Sequence, residues 1–452
     1  MIFQIIAIFI SLILFITAPK AYSSTYCLLS FVIFLYSAYK ILKFDFKNIN
    51  VINFNLFYLF SFLFCTYIFP VVLMPIGETG YLYRTSVLGV NESSVNVCTA
   101  LASFAISVYA FSYCTNVRSV QLGNQRSIKL SGSLNFILVL VTLAVSVSSI
   151  LFIGANSDSV AMTESPFLFV IFYSLLAISL VNICKKKPDT KQISFFLKKA
   201  KVPIACSCII ALIMLYMGDR GPILSIGLIF LGSVSIYLKK VKVKYLVPLF
   251  IAGVVGMFLI GALRSGDSSI RSGGVSAFSN SAKEVLSTGD GTVWEIFSDF
   301  TDRYIELYSG YEYHEKNGNY YPLKIFPIMA SPVPLLPNIL SDMIYDKPFL
   351  ELSSVKAINS SLFQSRDGWF GTHQVIDVYM SWGILGVFII FYLQGLIFAK
   401  ITSRHKSSLL YGILYIVLLS KSLYLPRAVF FDLYRPIVWT YLLYIVLVKK
   451  IK

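Results

Sequence analysis

Nine long apolar runs follow one another in this chain, a polar and aromatic-rich stretch from Arg264 to Thr372 interrupts them, and three more apolar runs complete it. This pattern constrains the fold more than any motif does. A run of about 20 apolar residues is long enough to cross a bilayer, and inside hydrocarbon the backbone must satisfy its own hydrogen bonds, which a helix does. The segments 3–19, 22–40, 51–74, 94–115, 133–154, 167–184, 202–217, 222–238, 246–263, 374–399, 408–425 and 436–448 are expected to be spans. With 57% hydrophobic and 13% charged residues and a mean hydropathy of +0.75, the chain lies far from soluble-domain composition. The expected fold class is an all-α polytopic membrane protein of about 12 transmembrane helices. Its expected division is membrane helices over 1–263, an outside loop domain over 264–372, and membrane helices over 373–452.

Charge placement orients the bundle, since Lys and Arg near span ends are retained on the cytoplasmic side. One set of connections holds Lys40, Lys43 and Lys47, then Arg118, Arg126 and Lys129, then the cluster from Lys185 to Lys201, then Lys239 to Lys244, Lys400 to Lys406, and the tail. The alternate short connections hold only Lys20, Arg84, Arg220, Lys421, Arg427 and Arg435. Both termini are therefore expected inside and the large loop outside. The net charge of +16 follows from this bias, so no nucleic-acid partner is expected. Ala18 to Ser24 is rich in small residues, but a basic n-region is missing before the first apolar run, which reads as a retained span. The seven cysteines fall in or at spans and read as core packing, with Cys206 and Cys208 on different helix faces.

Within the outside loop, Trp294, Phe297, Tyr304, Leu307, Tyr308 and Tyr311 recur near helical spacing, predicting an amphipathic helix over about 292–313. Its aromatic stripe has two readings, packing on the membrane domain or stacking on sugar rings. Trp294, Tyr304, Arg366 and Trp369 are the candidate glycan contacts. Pro327, Pro332, Pro334 and Pro337 argue against regular helix in that stretch, which is expected to be a re-entrant or interfacial segment.

Ionisable residues near outer span ends carry the chemistry, because a charge in hydrocarbon is costly and tends to mark function. Arg220 sits in the tight turn Gly218-Asp219-Arg220-Gly221-Pro222, Arg264 ends the ninth span, Arg271 follows, and Arg427 and Arg435 bracket the last outside turn. Guanidinium groups bind phosphate oxygens bidentately and stay charged, so Arg220, Arg264, Arg271 and Arg435 are the candidate pyrophosphate clamp. Thr372-His373-Gln374 opens the tenth span with Asp377 four residues on. An imidazole oriented by a carboxylate suits a general base, making His373 and Asp377 the candidate catalytic pair, although a histidine at a helix start also serves as a cap. His314 and His405 read as solvated surface residues. No Asp-x-Asp, Walker or Gly-x-Gly-x-x-Gly pattern occurs, so no cofactor and no metal site is expected.

The Gly-Asp-Arg-Gly-Pro turn, the arginine ending the next span but one, the single large loop, and His373 ahead of Trp382-Gly383-Ile384-Leu385-Gly386 resemble the O-antigen polymerase and ligase superfamily, most closely its Wzy-type polymerases. The resemblance implies a C-type glycosyltransferase-like membrane fold in the bacterial inner membrane, with a periplasmic loop. It also implies a metal-independent glycosyltransferase that moves a growing O-antigen glycan from undecaprenyl pyrophosphate onto a new undecaprenyl-pyrophosphate-linked repeat unit. The implied partners are these lipid-linked oligosaccharides and the bilayer, with a chain-length regulator of the polysaccharide co-polymerase type as a candidate. An O-antigen ligase acting on lipid A-core and a lipid-linked oligosaccharide flippase are the alternative readings.

Overall fold

The computed structural model describes residues 2–76, 91–118, 133–155, 166–185, 193–217, 220–238, 303–319, 324–333, 336–362 and 371–447. In chain order the helices are α1 (Ile2–Ile16), α2 (Ser24–Asn48), α3 (Phe54–Thr66), α4 (Glu92–Asn116), α5 (Leu134–Ala155), α6 (Pro166–Lys185), α7 (Ile193–Lys199), α8 (Lys201–Met217) and α9 (Arg220–Tyr237). Then come α10 (Arg303–Asn317), α11 (Ile325–Ala330), α12 (Leu336–Tyr345), α13 (Ser354–Leu362), α14 (Gln374–Arg404), α15 (Leu409–Lys421) and α16 (Tyr434–Leu447). No strand occurs among the described residues. Eleven of the expected spans coincide with helices, and the twelfth, 246–263, lies outside the described residues. By length and apolarity, α2, α4, α6, α14 and the segment Phe430–Leu447 can each cross a membrane, while six further apolar helices are shorter.

The third expected span breaks after α3. Pro70 has no N–H to donate and its ring crowds the carbonyl four residues back, so the helix widens into a π turn over Phe69–Leu73, where the Met74 N–H reaches the Phe69 carbonyl. A second break lies inside α14. Gly383 adopts φ 63° and ψ −160°, a conformation open in practice to glycine alone, and the helix bends there.

At the centre stands α4, whose apolar window is 83% buried. Its run of Ala100, Ala102, Ser103, Ala105, Ser107 and Ala110 carries little side-chain bulk, so α1, α2 and α14 approach it closely. The serines bond to neighbouring helices: Ser103 donates to the Ser30 carbonyl at 2.8 Å and Ser112 to the Tyr392 carbonyl at 2.6 Å. Longer polar side chains lie among the same helices. The Asp45 carboxylate accepts from the Tyr113 hydroxyl at 2.6 Å and from Asn55 at 2.7 Å, while Gln374 accepts from Tyr58 at 3.0 Å and donates to Gln394 at 2.9 Å. Beside this group, α6 packs against α5, α9, α15 and α16. Exposed faces of α1, α5, α14 and α16 carry Ile, Leu, Phe and Val, the surface a hydrocarbon solvent favours.

The loop helix expected over 292–313 is present as α10, Arg303–Asn317, and residues 292–302 lie outside the described residues. It packs on the first turns of α14 so closely that a Cβ on Gly310 would stand 2.5 Å from Ile376. The proline-rich stretch departs from expectation. Pro327 lies within the first turn of α11 and Pro337 is the second residue of α12, positions where the missing N–H would have no intrahelical partner in any case. Regular helix is thus interrupted around Pro332 rather than excluded from the whole stretch. Core packing fails for one cysteine: Cys208 is exposed on α8, whereas Cys206 is buried.

The α4–α14 contact depends on Gly395, where an added Cβ would lie 2.7 Å from the Tyr109 carbonyl oxygen and 2.8 Å from the Ser112 Cβ. Gly395→Leu is expected to destabilise the bundle by at least the roughly 1–3 kcal/mol typical of overpacking, read as a lower midpoint in thermal unfolding of the detergent-solubilised protein.

Candidate functional site

Asp377 lies in the first turn of α14, where the unsatisfied N–H groups of the helix favour a negative charge. Its carboxylate is fully buried. One oxygen, Oδ1, accepts from the Lys324 Nζ at 3.1 Å and from the Ser354 hydroxyl at 2.6 Å; the other, Oδ2, accepts from the Phe430 backbone N–H at 3.1 Å. Lys324 is itself only 2% exposed. Four segments remote in sequence therefore meet at one carboxylate: the residue before α11, the start of α13, the start of α14, and the turn Phe430–Leu433. Ser354 extends the group to Thr372 at 3.0 Å. The Lys324 ammonium also stands 5.8 Å from the Trp382 ring centroid, and that ring meets Phe430 edge-on at 5.4 Å.

The turn fixed by Phe430 carries the basic groups. Arg427 lies 5.8 Å over the Tyr424 ring, and Arg435, second residue of α16, is half-buried with its Nε lacking a hydrogen-bond partner among the described residues. Between them Asp432 is exposed and within electrostatic reach of Lys421 and Arg435. One turn beyond Arg435, Trp439 donates to the Pro332 carbonyl at 2.9 Å, holding the proline-rich segment against α16. The start of α9 lies at the same end of the bundle, because Ser225 donates to the Ser420 carbonyl at 3.2 Å. Arg220 opens that helix, so its backbone is about 7.5 Å of helical rise from this contact.

Among the expected site residues, His373 and Asp377 are neighbours that do not pair. His373 precedes the helix with extended backbone (φ −108°, ψ 132°), so although the Asp377 N–H bonds to its carbonyl at 3.0 Å, the two side chains do not stand one above the other on a helix face. Its ring turns back as the N-cap: Nδ1 accepts the Val375 N–H at 3.3 Å, which places the proton on Nε2, 3.1 Å from the Thr66 hydroxyl. The imidazole is fully buried, its lone pair is engaged, and Asp377 serves Lys324 instead. Tyr304 also departs from its expected role as a glycan contact. Its ring is fully buried and stacks on Phe69 at 3.8 Å, leaving no face for a sugar, so this part of the stripe packs on the bundle. Arg264, Arg271, Trp294, Arg366 and Trp369 lie outside the described residues.

His314 is half-buried against Tyr379 at 4.5 Å, and that burial pushes its imidazole below the ordinary value, partly offset by Glu315. His405, expected to be solvated, is fully buried against Tyr415 with its Nδ1 on the Thr402 carbonyl. Lys324 is the residue that sequence reasoning missed. A lone lysine between Leu323 and Ile325 in a proline-rich apolar stretch is the signal that it would be paired. Glu306 is similarly buried, accepting the Gly371 N–H at 2.6 Å and so tying α10 to the strand of chain ahead of His373.

A sequence model of the family described as O-antigen polysaccharide polymerase Wzy matches residues 1–452, the whole chain. The chain belongs to this family. No curated protein and no solved structure matches it significantly. Membership makes it a multi-pass membrane protein of O-antigen polymerisation, a glycosyltransferase-type enzyme working on lipid-linked oligosaccharides.

Two outcomes follow from the geometry. Removing one partner of the buried pair, as in Asp377→Ala or Lys324→Met, is expected to cost about 3–5 kcal/mol, and the double variant Lys324→Met with Asp377→Leu should recover much of it; thermal unfolding in detergent reads both. For His373, Asn preserves an N-cap acceptor while removing the imidazole. His373→Asn should keep a polymer ladder close to normal, whereas His373→Ala should lower stability by about 1 kcal/mol.

Proposed function

We propose that this chain joins lipid-linked O-antigen repeat units at the periplasmic face of the inner membrane, with both termini in the cytoplasm. The growing glycan leaves undecaprenyl pyrophosphate and is received by a new undecaprenyl-pyrophosphate-linked repeat. The observation that carries this reading is the gathering of Arg427, Arg435 and the start of α9 at one end of the bundle, around a turn anchored on Asp377, in a chain matched along its whole length by the polymerase family.

In the reaction, an acceptor hydroxyl oxygen bonds to the anomeric carbon of the donor sugar as the bond to the pyrophosphate oxygen breaks. The diphosphate departs with both bonding electrons, and guanidinium groups neutralise the charge that develops there. Arg435, whose buried Nε has no partner among the described residues, is the first clamp residue, with Arg220, Arg264 and Arg271 completing the set. Cationic side chains do this work in place of a resident metal. Because the His373 lone pair caps α14, the proton of the acceptor hydroxyl passes to a carboxylate, and Asp432, exposed in the turn between Arg427 and Arg435, is the one assigned this role. The apolar helices hold the polyprenyl tails and align donor with acceptor, where positioning supplies much of the rate. Trp294, Arg366 and Trp369 are assigned to the glycan, and a chain-length regulator of the polysaccharide co-polymerase type is the expected protein partner.

The test is purified protein with a synthetic undecaprenyl-pyrophosphate oligosaccharide and no other enzyme. Wild type should yield a ladder of products. Arg435→Ala and Arg220→Ala should each reduce polymer by at least about 100-fold, the size of effect seen when one donor to a developing charge is removed, with protein level unchanged. Asp432→Asn should do likewise, and a normal ladder from it would return the proton acceptor to another group.

A further inference from the structure

A second charged site lies at the opposite end of the bundle from Asp377. Lys40, Lys43 and Lys47 follow Tyr36 at spacings of four, three and four, which puts all four on one face of α2. They line a cleft of about 540 Å³ together with Phe3 and Gln4 of α1 and Cys114 of α4. That volume falls in the range of roughly 300–1,000 Å³ typical of ligand sites. Cys114 follows Ser112, which bonds to the Tyr392 carbonyl, and precedes Arg118, whose N–H bonds to Ser403. Ser403 lies about 40 Å of helical rise along α14 from Asp377, so this cleft is separate from the site described above.

Three features give the cleft its chemistry. Among the described residues it is lined by three lysines and no acid. The one carboxylate on this part of α2, Asp45, is buried on another face against Tyr113 and Asn55 and does not neutralise them. Aromatic rings brace the ammonium groups, with Lys40 at 5.3 Å from the Tyr36 centroid and Lys43 at 5.7 Å from that of Tyr39, and the Tyr36 hydroxyl has no hydrogen-bond partner among the described residues. The rim is apolar. From Phe3, itself in the lining, an exposed stripe of Ile6, Ile10 and Ile13 runs up α1, and on α2 the exposed Leu35, Tyr39 and Phe46 border the lysine face. A charged floor that opens onto a lipid-facing apolar stripe suits a ligand with a phosphate head and acyl tails.

We propose that this cleft binds the headgroup of an anionic phospholipid, with the lysines on its phosphate and the acyl chains along the α1 and α2 stripes. The charge bias of the chain puts this end, and hence the lipid, in the cytoplasmic leaflet. Topogenic lysines that were merely solvated would have no need of a common cleft with an apolar rim.

The experiment compares binding of cardiolipin, phosphatidylglycerol and phosphatidylcholine to the full chain in detergent by native mass spectrometry, with inorganic phosphate as the soluble probe in a thermal-shift assay. The anionic lipids should bind with preference over phosphatidylcholine. The variant K40Q/K43Q/K47Q should weaken them on the order of a hundredfold, since each lysine near an anionic surface contributes several-fold. The variant K198Q/K199Q/K201Q, which removes the same charge elsewhere on that set of connections, should stay within about twofold of wild type by the same electrostatic scale. Equal loss in both variants, equal binding of phosphatidylcholine, or stabilisation by millimolar inorganic phosphate that matches the lipid would overturn the proposal. Where the triple variant is not recovered, a phosphatidylglycerol with a photoreactive tail decides on the wild-type chain. Crosslinks confined to α1 and α2 support the site, and crosslinks spread over the other helices reject it.

Discussion

The Lys324–Asp377 pair is the constraint on which one end of this molecule depends. Taking an ammonium and a carboxylate out of water is costly, and their attraction offsets that cost only when the remaining hydrogen-bonding capacity is filled. Here Ser354 and the Phe430 N–H fill it, and the start of α14 supplies a favourable helix end. The consequence is geometric. Loss of any one partner would leave a buried charge or donor exposed to an apolar surrounding, so the loop segments cannot drift from α14 without a large penalty. The basic turn between α15 and α16 inherits its position from this arrangement.

Behind that end, the bundle supplies a rigid frame. The small residues of α4 let α1, α2 and α14 pack backbone to backbone, and the polar side chains of Asp45, Asn55, Tyr58 and Gln374 bond across helices rather than to water. Loop helix α10 is joined to this frame by the buried Tyr304 and Tyr308 and by the close approach at Gly310. Aromatic residues that resemble a sugar platform in sequence thus serve as the cement between loop and bundle. The bend at Gly383 turns the first part of α14 and brings Trp382 beneath Lys324.

The two ends of the molecule are built differently. The end that holds Asp377 couples Arg427 and Arg435 to an internally compensated scaffold, an arrangement that suits the transient charge of the proposed reaction. The lysine cleft at the other end has partly exposed ammonium groups and no acid in its lining among the described residues, which suits the proposed resident anion. His373 illustrates how position decides role. The same imidazole one residue further along would lie on the helix and could face Asp377, yet at the cap its lone pair belongs to the backbone.

Among the described residues the placement of the apolar helices was legible in the linear chain, because hydrocarbon favours apolar segments that satisfy their own backbone hydrogen bonds, and eleven of the twelve segments read that way coincide with helices. Polymerase family membership was legible from the Gly-Asp-Arg-Gly-Pro sequence and the residues around His373 for a similar reason, since these motifs are local. Contacts between distant segments were not. Nothing in local sequence ties Lys324 to Asp377, places Ser354 and the Phe430 N–H on the same carboxylate, or buries Tyr304 and His405. Proline placement shows the same limit: Pro327 and Pro337 break helices by propensity, but as first-turn residues they have no bond to break. Sequence by itself determined that the long apolar segments are helical, because hydropathy and hydrogen-bond satisfaction act residue by residue, but not that the short segments α7, α11, α12 and α13 are. Only the tertiary structure decided which charges are paired, capped or free, because that depends on which neighbours exclude water.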